Sequence, residues 1–146
     1  MLLVPPRARR DVAAAFAYLA QDPIERALIA RMQRSPRTYR LAIAHDGNDL
    51  FDPNRDVIRW DPRSALRTTE GGRQSPALGL GHEIDHAVES RHKESALAAR
   101  ADRRYDTKEE RRVITGSETH AARTLGEAVR YDHRGRTYRV ASPTAR

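Results

Sequence analysis

His82-Glu83-Ile84-Asp85-His86 is the stretch of this chain whose residue types and spacing carry a specific chemistry. On a helix of 3.6 residues per turn the two histidines fall four apart on one face, so both imidazoles can grip a single ion. Glu83 lies one residue along on the same side, where its carboxylate reaches a metal-bound water instead of the metal and can serve as general base. Zinc fits such a site best: two neutral imidazoles and a carboxylate leave a fourth position for water, whose pKa falls to about 7. Cysteine is absent. Disulfide frameworks, thiol nucleophiles and cysteine-zinc sites are thereby excluded, and any metal must be held by His, Asp or Glu.

A third ligand is needed. Glu118, in Gly116-Ser-Glu118-Thr-His-Ala-Ala122, is the first choice, because a glutamate on a separate helix with small residues one turn later suits close packing beside the metal helix. His92 is the rival: its distance from His82 resembles the extended zinc motif of the metzincins. Against it, Glu89 stands where the turn glycine belongs, neither methionine lies downstream, and an unbroken helix would rotate His92 about 240° from His86. His120, Glu109, Glu110 and Glu127 are the remaining alternatives. Just beyond the last helix, Tyr131, His133 and Arg130 are candidates to stabilise an oxyanion if the chain returns over the metal.

The elements that must position these groups follow from pattern. Val12, Phe16, Leu19 and Ala20 recur at helical spacing, and Asp22-Pro-Ile-Glu25 opens a second helix carrying Ile24, Leu28 and Met32 on one face. That helix stops at Ser35-Pro36. Alternation over Thr38 to Ala44 predicts a strand, the dense turn signal His45 to Asp49 makes it one arm of a hairpin, and Asp56 to Trp60 supplies a second strand. The second strand is the candidate edge for an extended substrate. Arg63 to Gln74 has no apolar period and reads as a mobile connection. Ser75-Pro76 starts the amphipathic motif helix, which reaches at least Val88 and extends toward Ala99. Val113 to Thr115 reads as extended, Ser117 as the cap of a helix from Glu118 to Arg130, and Thr137 to Val140 as the last strand.

With 146 residues, 38% hydrophobic and 32% charged, the chain suits one packed domain, residues 1–146. No run approaches the roughly 20 apolar residues of a membrane span, and the opening Met1 to Val4 is too short for a Sec signal. The net charge is +7, and every one of the 27 cations except Lys93 and Lys108 is arginine. Such a surface attracts acidic partners. Nucleic acid is one of them, although 5% aromatic residues provide little stacking surface.

Ile58-Arg-Trp-Asp-Pro62, Ser75 to Ala87, Glu109 to Glu118, Leu125-Gly-Glu127, Arg130 and His133-Arg-Gly135, in this order, resemble the NleD-type bacterial effector zinc metallopeptidases. The resemblance covers residues 38–140 and leaves the helical segment 1–37 outside. It implies a zincin-like α+β domain, a short antiparallel sheet on the motif helix with the Glu118 helix behind it. It further implies a secreted zinc endopeptidase, a virulence effector or toxin of the type III secretion kind, that cuts a host signalling protein in the host cytoplasm; the chain itself is expected to be a monomer. On that resemblance His82, His86 and Glu118 bind Zn2+ and Glu83 is the base. Two other readings stand beside it: a regulatory peptidase inside the bacterium, similar to ImmA/IrrE-type proteins, and a basic nucleic-acid-binding domain without catalysis.

Overall fold

The computed structural model describes residues 1–89 and 100–146; His92 and any helix beyond Glu89 lie outside the described residues. The architecture is α+β. A two-residue strand β1 (Leu2–Leu3) precedes a 3-10 turn (Pro6–Ala8), α1 (Arg9–Leu19) and α2 (Pro23–Arg34). Asp22 caps α2, its Oδ2 accepting from the backbone N–H of Ile24 (3.1 Å) and Glu25 (3.0 Å), with Pro23 in the first turn. The buried face of α2 differs from the expected one: Glu25, Leu28 and Met32 turn inward, while Ile24 is exposed.

Next come β2 (Tyr39–Ile43), β3 (Leu50–Asp52) and β4 (Val57–Trp60), which with β1 form a sheet of order β1-β2-β4-β3. The expected hairpin is not formed by β2 and β4. They pair in parallel, Leu41 opposite Ile58, because β3 reverses the chain once more between them and forms the antiparallel hairpin with β4. The Asp56–Trp60 strand is therefore interior to the sheet, and β3 takes the edge. Trp60 is fully buried and donates its indole N–H to the Pro76 carbonyl at 2.8 Å, fixing the sheet to the start of the motif helix.

The segment expected to be a mobile connection holds two strands, β5 (Ser64–Arg67) and β6 (Arg73–Gln74). Together with β9 (Arg136–Arg139) they make an antiparallel sheet of order β6-β5-β9. Short polar strands closed by Gly71 at φ 89° leave no apolar period to read. A small hairpin, β7 (Ala101–Asp102) and β8 (Asp106–Thr107), leads into α4 (Lys108–Val113), a kinked segment (Ile114–Glu118) with non-helical backbone at Gly116, and α5 (Thr119–Leu125). Val113 and Ile114 are buried at the end of a helix instead of being extended. Ser117 does not cap α5, since its hydroxyl is turned to Asp85.

At the centre lies α3 (Pro76–Glu89). It is not the one-faced amphipathic helix its sequence suggested: residues on every side of it are buried, as expected of a helix enclosed by other elements. Leu80 and Ile84 join Leu19, Met32, Ile58 and Trp60 in the main core, and Leu78 packs on Ala121 and Ala122 of α5. Ser75 opens the helix, its hydroxyl accepting from the Leu78 N–H at 3.3 Å while its own N–H and O–H donate to Glu127.

Candidate metal centre

The two motif histidines face one another. Their Nε2 atoms are 2.9 Å apart, and the Glu110 carboxylate sits against both, Oε2 at 2.9 Å from His82 Nε2 and Oε1 at 3.3 Å from His86 Nε2. His82, His86 and Glu110 form a group that could hold a metal ion. Glu110 reaches this place because Thr107 caps α4: the Thr107 hydroxyl accepts from the Glu110 N–H at 3.1 Å. In an ordinary capping box the glutamate side chain would return to the cap's backbone N–H; here it is spent on the imidazoles.

The far side of each ring is held as well. His82 Nδ1 lies 2.9 Å from Glu118, and His86 Nδ1 lies 3.2 Å from Glu109. Each of these carboxylates is gripped by an arginine: Arg130 makes three contacts of 2.7 to 3.1 Å with Glu118, and Arg112 binds Glu109 at 2.6 and 3.1 Å. An acceptor on Nδ1 fixes the N–H there and turns the Nε2 lone pair inward, the arrangement that histidine ligands need. Three acceptors, two nitrogens and a carboxylate, then converge on one point. Glu110 Oε2 is buried and makes no well-aligned hydrogen bond among the described residues despite its 2.9 Å approach to His82. That combination suits a shared cation better than an N–H···O bond.

Electrostatics agree. Burial would push the His82 imidazole down, but Glu110 and Glu118 on its two nitrogens outweigh it and raise the group to about 10. Burial opposes the charge on Glu118 too, yet Arg130 and His82 hold its carboxyl at about 2. Glu110 is shifted down by both histidines, against its burial. The centre attracts positive charge, whether a proton or a divalent ion.

Glu83 is buried and lines the adjoining cleft, of about 140 Å³, with His82, Asp49, Gly79, Gln74, Arg130 and His133. Burial raises its carboxyl above the usual range, with His82 and His86 pulling the other way. Asp85, the remaining acid of the motif, braces the helix: Oδ1 accepts from Arg112 at 2.8 Å and Oδ2 from the Ser117 hydroxyl. A kink at Gly116, whose φ −101° and ψ −107° are not helical, separates α4 from α5 and presents Ser117 and Glu118 together.

Comparison with family models, curated proteins and solved structures finds no match to this chain. The geometry must therefore stand by itself. It brings His82, His86, Glu83 and Glu118 into one site but places Glu118 behind His82, on Nδ1, instead of among the converging ligand atoms. Glu110 occupies the third position. His120 is remote, paired with Asp22 at 2.5 Å on the α2 side, and Glu127 anchors Ser75 and Tyr18. His133 does line the cleft, its Nε2 3.4 Å from Glu110 Oε2; Tyr131 is half-exposed and does not line it. The signal for Glu110 was Thr107-x-x-Glu110, hidden in a run of charges.

Proposed function

We propose that this site is a zinc peptidase centre in which His82, His86 and Glu110 hold the ion and Glu83 is the general base. The observation that carries the reading is the convergence of two Nε2 atoms and one carboxylate at separations of 2.9, 2.9 and 3.3 Å. Ligand atoms at the usual 2.0–2.1 Å from a tetrahedral zinc lie roughly 3.3 Å apart, so small adjustments suffice. When bound, the ion supplies a positive charge that acidifies water and polarises a carbonyl. The side chains of the cleft do the rest. Glu83 takes the proton from the attacking water onto its carboxylate and returns it to the leaving amine; its upward shift by burial makes it a better base than a surface glutamate. His133 offers an N–H at the cleft wall toward the charge that develops on the carbonyl oxygen. Arg130 keeps Glu118, and through it the His82 ring, in place.

The order of motifs that resembles the NleD-type effectors extends the proposal to a secreted endopeptidase acting on a host signalling protein. A chain with net charge +7 favours an acidic substrate. The test pairs metal analysis by mass spectrometry with cleavage of a proteome by wild type and Glu83→Gln. The variant is expected to retain one zinc per chain and to lose cleavage. Undiminished cleavage refutes the role of Glu83, and a wild-type protein that takes up no metal refutes the centre.

A further inference from the structure

The β6-β5-β9 sheet has two unlike faces. Leu66, Gln74 and Thr137 are laterally aligned and line the metal cleft. One residue along, the register sets Arg73 opposite Arg67 and Arg67 opposite Arg136, so three arginines from three strands stand abreast on the other face. Directly opposed residues in antiparallel strands are only about 4.5–5.5 Å apart at Cα, and like charges so placed repel. All three are exposed, and none is paired with an acid among the described residues. Tyr138, two residues from Arg136 on the same face, has the Arg73 guanidinium 5.8 Å from its ring centre. Arg67, Arg73, Arg136 and Tyr138, with Thr137 at the margin, enclose a hollow of about 360 Å³ that no acidic side chain lines.

We infer that this hollow is a binding site for a phosphate monoester. Three aligned cations destabilise the bare sheet, and a dianion between them reverses the sign of that interaction. Guanidinium forks match the oxygens of a phosphoryl group in pairs. The Tyr138 ring, on the same face, carries the Arg73 guanidinium 5.8 Å from its centre and so holds one of the three cations at the hollow. A monoester carries close to two negative charges near neutral pH and presents three oxygens, whereas a diester, as in a nucleic-acid backbone, carries one charge and fewer free oxygens. The triple row favours the monoester. It sits one sheet thickness from the cleft, and its occupancy does not depend on the peptidase reading.

The test is calorimetric titration of the whole protein with methyl phosphate and dimethyl phosphate, repeated on Arg67→Gln and Arg136→Gln. Methyl phosphate is expected to bind at least tenfold tighter than dimethyl phosphate, with Arg67→Gln lowering its affinity tenfold or more and Arg136→Gln lowering it several-fold. Removing the middle charge should also raise the ligand-free melting temperature, which separates lost binding from lost folding. A serine-phosphorylated peptide that binds more tightly than methyl phosphate places the phosphoryl group on a protein; equal affinity identifies a small free monoester as the ligand. Equal or tighter binding of dimethyl phosphate, or methyl phosphate affinity unchanged in Arg67→Gln, overturns the site.

Discussion

Glu118 and Glu25 are both buried carboxylates pressed against the central helix, and their surroundings give them opposite chemistry. Glu118 lies at the front, where Arg130 and His82 surround it and its carboxyl is held down at about 2. Glu25 lies behind, its carboxyl set against the backbone of Gly81, and neither oxygen has a hydrogen-bond partner among the described residues. Burial, with Asp85 and Asp22 nearby, pushes Glu25 up to about 8. Burial itself taxes both carboxylates heavily; a fixed cation decides whether the charge survives it. One face of α3 is thus prepared to collect positive charge, and the other keeps a proton.

The front is broken most completely by Glu110→Ala. It removes one of the three converging side chains proposed to hold the ion, so zinc affinity measured by chelator competition should fall more than a hundredfold while the core beneath is untouched. Glu118→Gln is the gentler cut. It keeps the shape and an acceptor for the His82 N–H but discharges the partner of Arg130, and the loss expected for such an outer contact is about 10- to 100-fold in metal affinity. Should Glu118→Gln cost more than Glu110→Ala, the two glutamates have the reverse roles and Glu118 is the ligand.

The rear is sharpened by Glu25→Gln. In the unfolded chain Glu25 loses its proton near the ordinary value of 4.5, whereas the native protein keeps it until about 8. Between those values the native state binds more protons than the unfolded one, so stability falls as pH rises through this window and then levels off. The whole effect is on the order of a few kcal/mol. Glu25→Gln removes that slope: chemical denaturation should show little difference from wild type at pH 4.5 and a growing advantage for the variant toward pH 8. Parallel pH profiles for the two proteins would mean that Glu25 is not held neutral.

How far the sequence revealed this contrast depends on which force positioned each residue. His82, Glu83 and His86 are set by local helical geometry, and the Ser75-Pro76 start signal places that helix at Pro76–Glu89. The α2 cap at Asp22 is equally local. The proposed third ligand depends on tertiary approach: Glu110 and Glu118 are eight positions apart on either side of the kink at Gly116, and the choice between them is made by that kink and by which nitrogen of His82 each one meets. No periodicity encodes that. Glu25 sits in the first turn of α2, where an acid normally serves the helix dipole, and it is buried because α2 packs on α3 with the Glu25 carboxyl filling the space beside Gly81 that a Cβ would take. The parallel pairing of β2 and β4 was hidden for the same reason, since a turn signal records a reversal and not the number of passes that follow.

The smallest change tests that packing directly. A Cβ at position 81 would stand 2.7 Å from Glu25 Oε2 and 2.9 Å from its Cδ, closer than van der Waals contact allows. Overpacking of this kind costs about 1–3 kcal/mol, whereas replacing glycine by alanine inside a helix returns about 1 kcal/mol. Gly81→Ala in the wild type should therefore be destabilising by at most about 2 kcal/mol. In a Glu25→Ala background the obstructing carboxyl is gone, only the helical gain remains, and the same substitution should become stabilising. Four denaturation curves close this cycle, and the change of sign is its signature. Additive effects would mean that Gly81 and Glu25 do not touch, and that the rear of the helix has room in which Glu25 could find a partner.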